Sequence, residues 1–184
     1  MASDAVSGSS SFDRYIDEVR SIWEDGKNRD LPFKVAASME RLLDSTSPDE
    51  PWMAKILQEG KAARELYRDP DHGFIQMGHV QKHGLVLPPH DHGPCWVVYG
   101  DYQGVTDIPL YERTDDGAEA GRATLKEKEI HNLGPGVVHP YLIGDIHSTH
   151  TVEGPALVFR FLSYDLTKVQ RNRYNLENNT VSFG

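Results

Sequence analysis

The chain has 184 residues and a formal net charge of −9, a length that suits one domain with a sizeable core and a charge that argues against a nucleic-acid surface, which needs clustered Lys and Arg. Its single cysteine, Cys95, excludes an internal disulfide and a multi-cysteine zinc site. No apolar run approaches the ~20 residues of a membrane span and Met1 to Ser11 lacks a signal-peptide core, so the expected location is cytoplasmic and the expected partner a small molecule, with no nucleic acid and no membrane.

Residues 1–11 are small and polar and read as a flexible N-terminus. Phe12, Tyr15, Ile16, Val19, Ile22 and Trp23 then recur at helical spacing, and Gly26 stands where a helix would stop. A second helix is expected around Phe33 to Leu43, with Ala36, Met39, Leu42 and Leu43 on one side. Ser47, followed by Pro48 and Glu50, reads as an N-cap with a capping-box partner that opens a third helix through Trp52, Ile56 and Leu57. Residues 12–68 are thus expected to be helices that brace the larger C-terminal part of the chain. After Arg68-Asp69-Pro70-Asp71-His72-Gly73 the periodicity changes to short apolar runs divided by Gly, Pro and Asp: Phe74 to Val80, Leu85 to Leu87, Trp96 to Tyr99, Val137 to Ile143 and Ala156 to Leu162. These predict a mainly β unit over 69–170, an antiparallel barrel, with Thr114-Asp115-Asp116-Gly117 as a turn. Residues 171–184 read as a polar tail, and no linker divides the chain, so one globular domain is expected overall.

The most informative stretch is Gly84-Leu85-Val86-Leu87-Pro88-Pro89-His90-Asp91-His92. Residues i and i+2 of a strand point to one face, so His90 and His92 would present two imidazoles side by side, half of a metal site. The segment Gly136 to His147 supplies two candidates for a third ligand, His147 and His139. His72, His79, His83 and His131 have no partner at ligand spacing, and His150 would face away from His147 on a regular strand. Imidazole ligands suit Fe(II), the first expectation for the cofactor, with Zn, Ni or Mn as alternatives.

Together the two blocks resemble the paired motifs of the cupin superfamily. Gly84, His90, His92 and Gly104 fall in register with the first motif, whose glutamate position is occupied by Val97. Gly136, Gly144 and His147 fit the second, with Leu142 in place of its proline and Thr151 in place of its asparagine. The resemblance implies a single cupin domain, a jelly-roll or double-stranded β-helix barrel, preceded here by the N-terminal helical segment. It favours His147 over His139 as the third ligand. With Val97 at the glutamate position the metal would carry three neutral ligands and keep its 2+ charge, which favours an anionic substrate and leaves positions open for O2 beside it.

From about Ala63 to Leu162 the sequence also resembles the thiol dioxygenases, namely cysteine dioxygenase and the bacterial 3-mercaptopropionate dioxygenases. The matching stretches are Arg64-Glu65-Leu66-Tyr67-Arg68-Asp69-Pro70-Asp71-His72-Gly73-Phe74, Pro89-His90-Asp91-His92 and Gly144-Asp145-Ile146-His147. The resemblance implies His90, His92 and His147 as metal ligands. By ungapped spacing it places on Arg64 the arginine that pairs with a substrate carboxylate; the alternative for Arg64 is a surface helix charge. The departures are equally specific. The family's Ser-x-His-x-Tyr triad falls on Val158, Arg160 and Leu162, and the cysteine of the mammalian thioether crosslink falls on Val97. Cysteine is therefore not the expected substrate. Strand alternation would turn Val158, Arg160 and Leu162 into the barrel, where Arg160 needs an anion, either an internal carboxylate or the substrate. The expectation is an Fe(II)-dependent cupin dioxygenase adding O2 to another small anionic organic molecule, with Arg160 and Arg64 as its substrate-binding residues. The alternatives are a non-oxidative metal-dependent lyase or isomerase and a binding protein without catalysis. A homodimer formed through edge strands or the N-terminal segment is a further option.

Overall fold

A computed structural model describes residues 10–24, 26 and 28–184, so the expected flexible N-terminus lies outside the described residues as far as position 9. Three helices come first: α1 (Ser11–Ile22), α2 (Leu31–Ser45) and α3 (Pro51–Glu59). Ser10 caps α1 in a closed capping box, its hydroxyl accepting from the Asp13 N–H while the Asp13 carboxylate accepts from the Ser10 N–H. The box expected at Ser47 and Glu50 does not form. Glu50 is itself the N-cap position of α3, and its carboxylate is taken by better donors, the Ser11 N–H and hydroxyl at the start of α1 and the Trp52 indole. An anion there also meets the positive end of α1.

Helix α3 ends at Gly60, whose φ of +56° suits glycine. The helical segment therefore stops short of residue 68, and Arg64–Arg68 is a strand, β1. It pairs antiparallel with β2 (Ile75–Gln81), Arg64 opposite Gly78. The remaining strands are β3 (Val86–His90), β4 (Val97–Arg113), β5 (Leu125–Leu133), β6 (Val138–Tyr141), β7 (Ile146–Leu162), β8 (Asn172–Asn175) and β9 (Thr180–Phe183). The strands run β1-β2-β7-β3-β8-β9, and β4 pairs with β5, β6 and β7, every ladder antiparallel. Two long strands, β4 and β7, run along each other and close the sheet into the mainly β barrel that the sequence predicts.

Alternation along β7 separates two cores. Leu157, Phe159 and Phe161 face outward onto the helices and meet Trp23, Val35, Met39 and Met53. Val158 and Leu162 face inward among Val97, Tyr99, Ile108, Leu133 and Tyr141. A strand apolar on both faces has to be covered on both, and the three helices supply the outer cover.

The polar C-terminal tail docks on the barrel. β8 and β9 form a hairpin, and β8 docks on β3 with Arg173 opposite His90. Asp91 holds it: its carboxylate accepts from the N–H and side-chain amide of Asn172, the Tyr174 hydroxyl and the Gly93 N–H. Gly93 has φ +59°, and a Cβ there would run into the Gln170 carbonyl oxygen. Only glycine lets the incoming C-terminal strand cross so closely. Among the described residues no helix is long and apolar enough to cross a membrane.

Candidate metal centre

His90 ends β3, His92 stands in the turn after it, and His147 is the second residue of β7, directly opposite His90. His92 is thus not on the strand, yet the turn returns its ring to the side of His90. The three ring centroids lie 5.1, 4.9 and 4.9 Å apart, and one ligand atom from each falls within 4.8 Å of the others. Among the described residues this is the one such group of three.

The residues fit a bound cation. Both ring nitrogens of His92 and both of His147 are buried without a hydrogen-bond partner, an arrangement that costs free energy unless something takes a lone pair. Nδ1 of His90 lies 3.0 Å from the Pro88 carbonyl oxygen. A proton donated there leaves Nε2 free as a ligand. Burial, then the neighbouring His90 and the cations of Arg160 and Arg171, pushes His92 down to about 2. His147 falls well below the ordinary imidazole value, first through burial, and His90 is lowered for the same leading reason. All three imidazoles are neutral at physiological pH, the state that binds metal.

These shifts make the metal-free protein acid-sensitive. Each folded pKa lies below the unfolded value of about 6.5, so as pH falls the unfolded chain binds the extra protons. Stability is then lost from about pH 6.5 downward, at up to ~1.4 kcal/mol per pH unit for each histidine protonated only when unfolded. For His92 the window extends to about pH 2. Urea unfolding of metal-free protein should show a lower midpoint at pH 5 than at pH 7.5; equal midpoints would contradict a trio kept neutral by its surroundings.

His139, the alternative third ligand, is not brought to the group. It sits on β6 opposite Tyr99, with its ring stacked on His131 at 4.3 Å. Two tyrosines wall the site instead: the Tyr99 ring is 5.3 Å and the Tyr141 ring 4.6 Å from His147, and the buried Tyr141 hydroxyl has no partner. Cys95 packs in the barrel core apart from the trio, and burial raises its thiol.

Arg160 lies where alternation puts it, in the row Met77–Arg160–Tyr99 across β2, β7 and β4, with its Cζ 6.0 Å from the centre of the Tyr99 ring. No carboxylate of the described residues pairs with it, and its buried Nε has no acceptor. Arg64 is placed elsewhere. It shares the row of Gly78 and Phe159, which faces the helices, and forms an ion pair with Glu59 at 2.7 Å that lacks hydrogen-bond geometry. It does not line the cavity at the histidines. That cavity, about 270 Å³, is bounded by Leu87, Pro88, His90, Asp91, Arg160, Arg171, Asn172 and Arg173. Sequence reasoning missed Arg171 and Arg173; the signal was Arg171-Asn172-Arg173, two cations on alternate residues of a chain with excess acid. A larger groove of about 600 Å³, bordered by Trp23, Pro32, Trp96, Leu142, Ile143 and Tyr164, contains none of the histidines. We assign the site to the smaller cavity because, among the described residues, it is there that an imidazole of the trio, His90, meets Arg160, Arg171 and Arg173.

Deeper in the barrel Asp101 is fully buried, and burial raises its carboxyl to about 8 against the opposing pull of nearby Thr106.

No protein-family model matches the chain, and no curated protein matches it. Solved structures do. KdgF from Halomonas sp. is 18% identical, with a TM-score of 0.42 over 54% of this chain and 74% of its own. The Cnp3 cupin domain of Schizosaccharomyces pombe is 10% identical, with a TM-score of 0.43 over 58% of this chain and 62% of its own. Bacillus subtilis oxalate decarboxylase, described with Mn(II) centres, is 16% identical, with a TM-score of 0.40 over 54% of this chain and 24% of its own. The chain therefore spans less than two thirds of the latter two, and the likeness assigns no chemistry. By its own topology the fold is a mainly β, antiparallel barrel behind an N-terminal helical segment, with a three-histidine group able to bind a metal.

Proposed function

We propose that the protein is an Fe(II)-dependent dioxygenase acting on a small anionic organic substrate other than cysteine. The observation that carries this reading is the placement of three neutral imidazoles, His92 and His147 buried without a hydrogen-bond partner among the described residues and His90 part-exposed, beside an arginine that no carboxylate of the described residues neutralises. When bound, Fe(II) would supply O2 activation and a positive centre for an anionic donor of the substrate.

The chain's own residues do the rest. His90, His92 and His147 bring no negative charge to the metal, so the site favours an anion. Arg160 offers a planar fork that matches a carboxylate, held by packing against the Tyr99 ring. Tyr99 and Tyr141 exclude water on the side of His147. Burial keeps the Tyr141 phenol protonated, so its partnerless hydroxyl is a neutral donor beside the ring that packs on His147. The thiol dioxygenases are expected to carry their tyrosine at the position of Leu162; here Leu162 and Tyr141 both oppose Val97 across β4.

The test is oxygen uptake by Fe(II)-reconstituted protein with thiol carboxylates, hydroxy acids and phenolic acids, with His147→Ala as control. Uptake stoichiometric with substrate loss and absent in His147→Ala is the expected result. Turnover of one of these compounds without O2, supported equally by Zn or Ni, would replace this reading with a lyase or isomerase. Binding without any product would replace it with a binding protein.

A further inference from the structure

We infer that the molecule this site takes is a dianion, with one carboxylate at Arg160 beside the histidines and a second oxyanion, carboxylate or phosphate, held at the cavity mouth by Arg171 and Arg173. That this molecule is a substrate rests on the proposed activity; the binding preference does not.

Three guanidinium groups from two places in the chain converge on one cavity: Arg160 from β7, and Arg171 and Arg173 at the start of β8, Arg173 opposite His90. In a chain with a net charge of −9 this clustering does not follow from composition. Among the described residues none of the three pairs with a carboxylate, and Arg160 and Arg171 each hold a buried Nε without an acceptor. The single acidic residue in the lining, Asp91, is committed to its four donors on Gly93, Asn172 and Tyr174.

Like charges gathered in a part-buried site repel and are costly unless an anion enters. The ionisation of Arg171 reflects that cost, lowered first by burial and then by the charges of Arg173 and Arg160. One carboxylate on Arg160 would leave the mouth cations unneutralised; a second anionic group answers them. The mouth is also fixed in place. Asp91 ties Asn172 and Tyr174 down, and Gly93 leaves room for the chain at Gln170, so the backbone that carries Arg171 and Arg173 is anchored. A cavity of about 270 Å³ lies just under the ~300–1,000 Å³ of drug-sized sites, which points to a small metabolite.

The test is calorimetric titration of Zn(II)-loaded protein, which needs no turnover, with matched pairs that differ by one anionic group. Succinate is set against succinamate, glutarate against glutaramate, and phosphoglycolate against glycolate. At least one dianion should bind about tenfold or more tightly than its partner, the worth of one charge-assisted contact. The preferred pair names the second group as carboxylate or phosphate. Arg171→Gln should weaken the dianion several-fold more than its match and so narrow the preference. Zinc content and the thermal transition report whether that variant folds, and the exposed Arg173→Gln serves where it does not. No preference for any dianion, or a preference left undiminished by the arginine substitution in folded protein, would overturn the inference. Dianion preference without oxygen uptake would sink the dioxygenase reading alone; uptake with a monoanion and no preference would sink this inference alone.

Discussion

Zn(II) should raise the thermal midpoint of the wild-type protein, and His147→Ala should abolish the rise. A ligand that binds only the folded state at 100 times its Kd adds about 2.7 kcal/mol, which for a chain of this size is about 5–11 °C. His147 is the residue to remove because it is fully buried, sits directly opposite His90, and supplies the ligand from β7 that the two histidines near the end of β3 lack. Two imidazoles would remain, too few to close a tight site. His150→Ala is the matched control, three residues along the same strand and outside the trio. It should keep the full rise. A rise retained in His147→Ala would show that metal binds elsewhere.

Phe161→Ala should cost about 3–5 kcal/mol, the range for deleting a buried aromatic side chain, and lower the midpoint by about 6–20 °C. Phe161 has no exposed surface and joins the helical layer to the barrel: its ring lies 5.9 Å from Trp23 of the α1 terminus, 5.1 Å from Phe74 and 5.4 Å from Trp96, on which it stacks. Removal opens a cavity between layers whose other walls are rigid rings, so little collapse can offset the loss. Because Phe161 faces outward while Arg160 and Leu162 face the barrel, metal content should be unchanged in the folded variant. Chemical denaturation measures the cost; a loss below about 1 kcal/mol would mean that the helices do not depend on this seam.

The two-sided apolar run at Ala156–Leu162 was legible because alternation is a local property, and it placed Arg160 inside correctly. His90, His92 and His147 were legible because the spacing of glycines and histidines survives without knowledge of tertiary contacts, although His92 reaches the site from a turn and not from strand geometry. What the sequence hid depends on partners far along the chain. Arg64–Arg68 carries good helix formers and becomes a strand through pairing with β2. Asn172–Phe183 is polar and becomes a hairpin because Asp91, more than eighty residues earlier, satisfies it. Glu50 was claimed by α1, a competitor that a capping-box pattern does not see. Arg64 fell to the same limit: ungapped spacing fixed its distance from His90 along the chain but not the face of the sheet it occupies.

The most direct test of the central claim is X-ray absorption on Zn(II)-loaded protein. Three imidazole scatterers at about 2.0–2.1 Å with no sulfur shell are expected, falling to fewer in His147→Ala. Fewer than three imidazoles in the wild type, or a sulfur shell at about 2.3 Å from Cys95, would contradict the three-histidine centre on which the proposed chemistry stands.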